Sequence, residues 1–138
     1  MIVQNSLTGG SNFDFVITTN GSTPLKATLA WHEPAATSIN TGTINPNVSY
    51  LTNNLNLEII EPGNTMAYPW VLNPANPAAT ATRGINNGDN VEQVLINSPA
   101  AGTYTIMAGL TILDSRREND LCQYSTFAHK HLLHENFF

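Results

Sequence analysis

Charged side chains are scarce in this sequence: Asp, Glu, Lys and Arg make up only 11% of its 138 residues, about half the usual share. Lysine and arginine total five and the net charge is -5, so no basic stripe exists to neutralise phosphates, which argues against nucleic-acid binding. No apolar run approaches membrane-spanning length, so we expect no membrane span. A lone cysteine, Cys122, excludes an internal disulfide and gives no information on the compartment.

Short uncharged side chains supply the polar surface instead. Asn, Thr and Ser are abundant, a composition typical of secreted β-proteins. The length suits one domain with one core. The first ten residues, MIVQNSLTGG, lack the basic start and apolar stretch of a signal peptide. If the protein is secreted, we therefore expect this chain to be part of a longer precursor.

The clearest pattern is the period-two alternation of Leu51–Glu61, where Leu55, Leu57 and Ile59 share one face and Asn54 and Asn56 lie on the other. Such alternation predicts a half-buried strand of an antiparallel sheet. The turn residues Pro62-Gly63-Asn64 follow and predict its end.

Five other segments are also predicted as strands, and no segment before Leu110 has a clear helical period. The segments are Phe13–Thr19, Leu25–Trp31, Met66–Leu72, Val91–Ile96 and Thr103–Ala108. Asn20-Gly21 is a hairpin signal, and Pro69 makes Met66–Leu72 an edge or bulged strand. Long loops are predicted at Glu33–Val48 and Asn73–Asn90. Short strands with such connections predict an all-β fold, an antiparallel β-sandwich or jelly roll.

The end of the chain has a different composition. Residues 109–138 carry nearly half of the charges and three of the four histidines, and Leu121–Phe138 shows no clean alternation. We therefore predict a β-sandwich domain over residues 1–108 and an atypical tail over residues 109–138. The tail could form a last strand, a short helix or a disordered end.

Three segments share their order and spacing with a known domain family. They are PLKATLAWHEP at Pro24–Pro34, LTNNLNLEIIEPGNTMAYPWVLNP at Leu51–Pro74 and NGDNVEQVLINSPAAGTYTI at Asn87–Ile106. Together they resemble the β-sandwich (jelly-roll, P-domain-like) accessory domain that follows the catalytic domain in secreted bacterial subtilisin-like serine proteases. Three segments in order are more specific than one short motif.

The resemblance implies a function and a location. It implies a non-catalytic module that packs against a subtilisin-like catalytic domain, of the same or a neighbouring chain, and stabilises it or shapes substrate access. It also implies a secreted or cell-surface protein. The family's closing strand has only a partial counterpart at Gln123-Tyr124-Ser125. If that strand is missing, an unpaired sheet edge results, and a homodimer through that edge is expected.

The resembling segments contain a set of oxygen donors near loop ends, which makes calcium the candidate cofactor. The candidate ligands are Glu33, Asn54, Asn56, Asn86, Asp89 and Glu92. The family has Asp at the positions of Glu33, Asn54 and Asn56, so we expect weaker binding here, or none. The alternative is that the Asn and Asp residues serve turns and that Glu92 is a solvated or hydrogen-bonded strand residue.

Two patterns imitate catalytic or metal sites. Gly63–Pro69, GNTMAYP, is similar to the subtilisin serine segment with Thr65 at the nucleophile position, but a nucleophile needs a base and an orienting carboxylate. The accompanying His and Asp segments of that family are absent, so no enzyme is predicted. His129, His131 and His134 are spaced H-x-H-x-x-H, but a structural zinc site needs four rigid ligands, which favours a mobile polar tail.

Aromatic side chains offer a second functional hypothesis, a secreted carbohydrate- or protein-binding β-sandwich that uses the long loops. Most sandwich aromatics belong to the core, and Trp31 lies on the apolar face of its strand. Trp70 and Tyr68, beside Pro69, are the candidate ligand-binding residues. Tyr50 and Tyr104 complete the set of aromatics considered.

Overall fold

The computed structural model describes residues 2–7, 11–36, 42–44 and 46–112, and the backbone alone of residues 122–130. The described residues contain ten strands and no helix. The strands are β1 (Ile2–Leu7), β2 (Asn12–Thr19), β3 (Leu25–His32), β4 (Asn53–Ile60), β5 (Met66–Ala67), β6 (Trp70–Val71), β7 (Thr82–Arg83), β8 (Val91–Ile96), β9 (Gly102–Ile112) and β10 (Cys122–Lys130). The predicted all-β, antiparallel β-sandwich fold is confirmed.

The strands form two four-stranded sheets and one short ribbon. Sheet A has the order β1-β10-β3-β8, sheet B has the order β2-β9-β4-β5, and β6 pairs with β7. Every pair is antiparallel. No helix among these residues has the length and apolar character needed to cross a membrane.

The core lies between the two sheets because alternate residues of each strand point inward. In β4 these are Leu55, Leu57 and Ile59, all without solvent exposure. Sheet A contributes Leu29 and Trp31 from the predicted apolar face of β3. Full burial of one such aliphatic side chain stabilises a fold by about 1.5–3 kcal/mol, so the alternation alone accounts for much of the cohesion of the sandwich.

The predicted Asn20-Gly21 turn is present, but it does not form a hairpin. Strand β2 before it belongs to sheet B, and β3 after it belongs to sheet A, so the turn carries the chain from one layer to the other. Gly21 has a φ of +79°, and a Cβ there would lie 2.8 Å from the carbonyl oxygen of Pro99. Glycine at this position therefore serves both the turn conformation and a close approach of two backbones.

The prediction of one strand over Met66–Leu72 is wrong. The segment forms β5 in sheet B and β6 in the ribbon, with Tyr68 and Pro69 between them. Pro69 is fully buried and has no N–H for a sheet ladder, but its carbonyl accepts a hydrogen bond from the Gly84 amide at 3.1 Å. Proline here redirects the chain from the sheet to the ribbon.

Strands β1 and β7 lie in segments that sequence patterns did not assign to strands. Strand β1 has a mostly exposed burial pattern without alternation, and β7 has only two residues, within the predicted loop Asn73–Asn90. Strand β9 runs through the Ala108–Gly109 position, where the domain boundary is predicted, and continues to Ile112.

The tail contributes a strand to sheet A. The backbone of β10 pairs with β1 on one side and with β3 on the other. Because β10 holds an inner position of sheet A, a missing closing strand does not create an open edge there. A homodimer through an unpaired sheet edge stays a prediction. Residues 113–121 and 131–138 lie outside the described residues.

Candidate functional site: the open edge of β4 and the loop groove

Among the described residues, another strand covers the edge of β4 away from β9 only at Ile59 and Ile60, which pair with β5. The backbone before them finds other partners. Glu33 accepts hydrogen bonds at Oε2 from the amides of Thr52 and Asn53, at 2.9 and 2.8 Å. The Trp31 indole Nε1–H donates to the Asn53 carbonyl at 3.2 Å. Side chains from the β3 end thus take the place of a neighbouring strand at the start of β4.

Glu92 also takes the place of a neighbouring strand, further along the edge of β4. Its Oε2 accepts a hydrogen bond from the Leu57 amide at 2.6 Å, although Glu92 belongs to sheet A and Leu57 to sheet B. The side chain is only 2% exposed, and its Oε1 has no partner among the described residues. Burial raises the pKa of this carboxyl to about 7, opposed by the Leu57 hydrogen bond and reinforced by the charges of Glu58 and Asp89.

The three segments that carry the family resemblance meet at this edge. Trp31 and Glu33 come from the first segment, β4 from the second, and Glu92 from the third. Asn90 adds a further link, since its side-chain Nδ2 donates to the Trp31 carbonyl at 3.1 Å and its own carbonyl accepts from the Trp31 amide at 3.2 Å. The segments are therefore joined by hydrogen bonds that hold strands together.

The six calcium candidates fall into different hydrogen-bonded groups. Glu33 and Glu92 bond to the β4 edge as described. Asn86 Nδ2 donates to Asp89 Oδ2 at 3.0 Å, and buried Asn54 donates from Nδ2 to Asn87 Oδ1 at 2.7 Å. Asn56 lies on β4 and is half-buried.

The hydrogen-bonded groups do not bring the carboxylates among the six calcium candidates together at one place. No three His, Cys, Asp or Glu side chains in the described ranges lie together as a group that could hold a metal ion. Asn54 Oδ1 and Glu92 Oε1 are buried oxygens without a hydrogen-bond partner in those ranges. Calcium binding at these residues stays a prediction.

A groove lies between the two long loops, and we call it the loop groove. Its volume is about 570 Å³. Its lining consists of residues 46–50, residues 71–74 with Pro77, and Asn86–Asp89. Two of its apolar side chains, Val48 and Leu72, are 64% and 71% exposed. Asp89 is the one charged residue among the described residues that line it.

Trp70 lies outside the loop groove and is 46% exposed, as predicted for a surface aromatic. The Arg83 guanidinium lies over its ring, 4.2 Å from the centroid. Arg83 also donates from Nη1 to the Tyr68 carbonyl at 2.7 Å and from Nη2 to the Leu95 carbonyl. Trp70 and Tyr68 are thus held by one arginine, which fastens the β6–β7 ribbon to β8.

The remaining aromatics divide between the core and the loop groove, and only for Trp31 did the alternation predict the core position. Trp31 and Tyr104 are core residues, and the Tyr104 hydroxyl donates to the Ala100 carbonyl at 2.9 Å. Burial raises the pKa of Tyr104. Tyr50 lines the loop groove.

Of the residues in the patterns that imitate catalytic and metal sites, the structure describes the side chains of Thr65 and His32 but not those of the tail histidines. Thr65 is an exposed turn residue between β4 and β5, where the Glu61 amide donates to its carbonyl at 2.8 Å. His32 is exposed at the end of β3. His129 lies on β10, whose side chains are outside the described residues, as are His131 and His134.

Sequence reasoning missed Arg83 and Asn90 as organising residues. A signal existed for Arg83, because it is one of only five basic residues in the chain and lies in a predicted loop. Asn90 lay within a resembling segment, but asparagines are so common here that none could be selected by composition.

Comparison with known proteins adds little to this description. No protein-family model matches the chain, and no curated protein matches it. Among solved structures, the chain is similar to the crystal structure of Aeromonas hydrophila PliG, a periplasmic lysozyme inhibitor of g-type lysozyme. The TM-score is 0.43 at 18% identity, over 91% of this chain and 81% of that one. A likeness of this size indicates nothing about what this chain binds.

Proposed function

We propose that this chain is a non-catalytic β-sandwich module that packs against a subtilisin-like catalytic domain, stabilises it and shapes substrate access. The supporting observation is the role of the polar residues in the three resembling segments. Trp31, Glu33, Asn90 and Glu92 make their hydrogen bonds to backbone groups of neighbouring strands. Residues with such bonds hold the sandwich together, so we expect a partner to bind the surface of the sandwich and not these residues.

The loop groove is the surface that we assign to the catalytic domain. Burial of its exposed apolar residues, Val48 and Leu72, would stabilise a complex with the catalytic domain. Loops on a rigid sandwich are also common binding elements. A partner that binds only the folded module stabilises it, and the module stabilises the partner in turn. A secreted or cell-surface location belongs to the same proposal.

The test uses the catalytic domain encoded in the same or a neighbouring reading frame. We expect the purified chain to lengthen the half-life of its proteolytic activity at raised temperature. Leu72→Asp should abolish this protection, because it places a charge in an apolar contact. Thr103→Asp, an exposed position on sheet B, is the matched control and should protect fully. Equal half-lives with and without the chain would refute the proposal.

Trp70 supports a second candidate function, carbohydrate binding. Its ring is exposed and is held in place by Arg83, so it offers a fixed aromatic surface of the kind on which sugars stack. A glycan array should then give a hit that Trp70→Ala removes and Leu72→Ala, a neighbouring apolar truncation, keeps. An array without hits would leave the accessory module as the better proposal.

A further inference from the structure

Strand β2 has a long edge that no other strand of the described residues covers. It pairs with β9 through eight residues, and it is the outermost strand of sheet B among the described residues. The other outer strands are shorter or covered. Strand β5 has two residues, β1 has six, and β8 has its Leu95 carbonyl bonded to Arg83. We infer that β2 is a self-association surface, which pairs with β2 of a second copy of this chain.

The register of β2 and β9 fixes which backbone groups point outward. The Leu110 amide donates to the Ser11 carbonyl at 3.1 Å, one step beyond the pair Asn12–Gly109. Because the N–H and C=O of a strand residue point to one side and alternate along the chain, the odd-numbered residues of β2 bond to β9. The N–H and C=O groups of Asp14, Val16 and Thr18 therefore point away from the sheet.

This edge has few of the features by which proteins prevent strand addition. Such features are lysines, prolines, bulges and covering loops. Strand β2 is NFDFVITT, with Asp14 as its only charge and without lysine, proline or glycine. Val16, at its middle, is 63% exposed. The open part of β4, by contrast, is covered by Glu33 and Glu92.

The sequence of β2 is complementary to itself. In an antiparallel pair with a twofold axis at Val16, each Val16 faces the Val16 of the other copy. Asp14 then faces Thr18 of the second copy, and Phe15 faces its Ile17. No like charges are opposed, and the inward residues of both copies lie on one face of a continuous sheet B, as an isologous dimer requires. This complementarity selects a second copy as the occupant, independently of any catalytic domain.

Sedimentation equilibrium over a wide concentration range tests the inference. We expect the mass of the chain to rise from 14.9 kDa towards twice that value. Val16→Lys opposes two charges on the axis, and Val16→Pro removes an outward N–H while leaving the β9 ladder intact. Both variants should stay monomeric, whereas the control Thr103→Lys, on the same face of inner strand β9, should associate like the parent chain. A parent chain that stays monomeric would overturn the inference.

Amide hydrogen exchange provides a second readout that does not depend on the variants folding well. The amides of Asp14, Val16 and Thr18 should gain protection as concentration rises, while those of Phe15 and Ile17 are protected throughout. Two results would overturn the assignment to β2. One is a dimer in which the amides of β1 gain protection instead, and the other is normal association of the Val16→Pro variant.

Discussion

Glu92 is a buried carboxyl whose ionisation opposes folding. Its pKa is raised from 4.5 to about 7, chiefly by burial, so the neutral form is favoured in the native state. A raised carboxyl pKa gives stability that is fully present below the unfolded value and is lost as pH rises through the folded value. The free energy of unfolding should therefore fall between pH 4.5 and pH 8, by about 3 kcal/mol from this group.

Glu92→Gln should flatten that fall. A glutamine can still accept the Leu57 hydrogen bond, but it does not ionise near Glu58 and Asp89. Urea unfolding of both proteins at pH 5, 6.5 and 8 measures the free energy of unfolding. The other titrating groups are common to both proteins, so the difference between the two profiles reports on Glu92. Parallel pH profiles of the two proteins, or a steeper fall in the variant, would contradict this role of Glu92.

The sequence identified Glu33 and Glu92 as candidate functional residues but did not predict their hydrogen-bond partners. Glu33 and Glu92 were predicted as oxygen donors near loop ends. Of the two alternatives for Glu92, a solvated or a hydrogen-bonded strand residue, the structure has the second. Their true partners, the amides of Thr52, Asn53 and Leu57, could not be predicted. Those contacts cross from one sheet to the other, and alternation within one strand carries no information about the facing layer.

At the scale of elements, the sequence predicted well wherever a strand has a buried and an exposed face. Strands β2, β3, β4 and β8 lie within a few residues of their predicted bounds. The bounds of β1, β5, β6 and β7 were not predicted. These strands are short or mostly exposed, so their hydrophobic pattern is weak. The ribbon β6–β7 depends instead on Arg83.

Arg83→Lys tests the ribbon. A lysine has one ammonium group in place of the planar fork that reaches the carbonyls of Tyr68 and Leu95 and lies over Trp70. We expect the Gly84 amide, which bonds to Pro69, to exchange faster with solvent. The Leu57 amide, in the core of sheet B, should keep its protection and serves as the internal control. Unchanged exchange at Gly84 would show that the ribbon holds without Arg83.

For the whole molecule, an antiparallel sandwich around one core was predictable, because short segments with the character of strands were separated by turn residues. The distribution of strands between the sheets was not predictable. Asn20-Gly21 is a hairpin signal, but the strands that flank it belong to different sheets. The tail also lay beyond prediction, as its residues 122–130 enter sheet A without a clean pattern.

The calcium prediction belongs to the scale of the whole molecule, because the candidate ligands come from β4, from β8 and from the connections beside them. Only Glu33, Asp89 and Glu92 of the six are carboxylates, so affinity should be low. We expect millimolar calcium to raise the melting temperature and a chelator to lower it, with magnesium as the control ion and Asp89→Asn reducing the shift. Identical melting curves with calcium and with chelator would remove calcium from the description.

The central claim, that this sandwich is a module for a subtilisin-like catalytic domain, is tested most directly by an NMR titration of the labelled chain with that domain in an inactivated form. The proposal predicts shifted amide signals along the loop groove, at residues 46–50 and 71–74, with small changes in the core strands. A spectrum that stays unchanged up to saturating concentrations of the domain would contradict it.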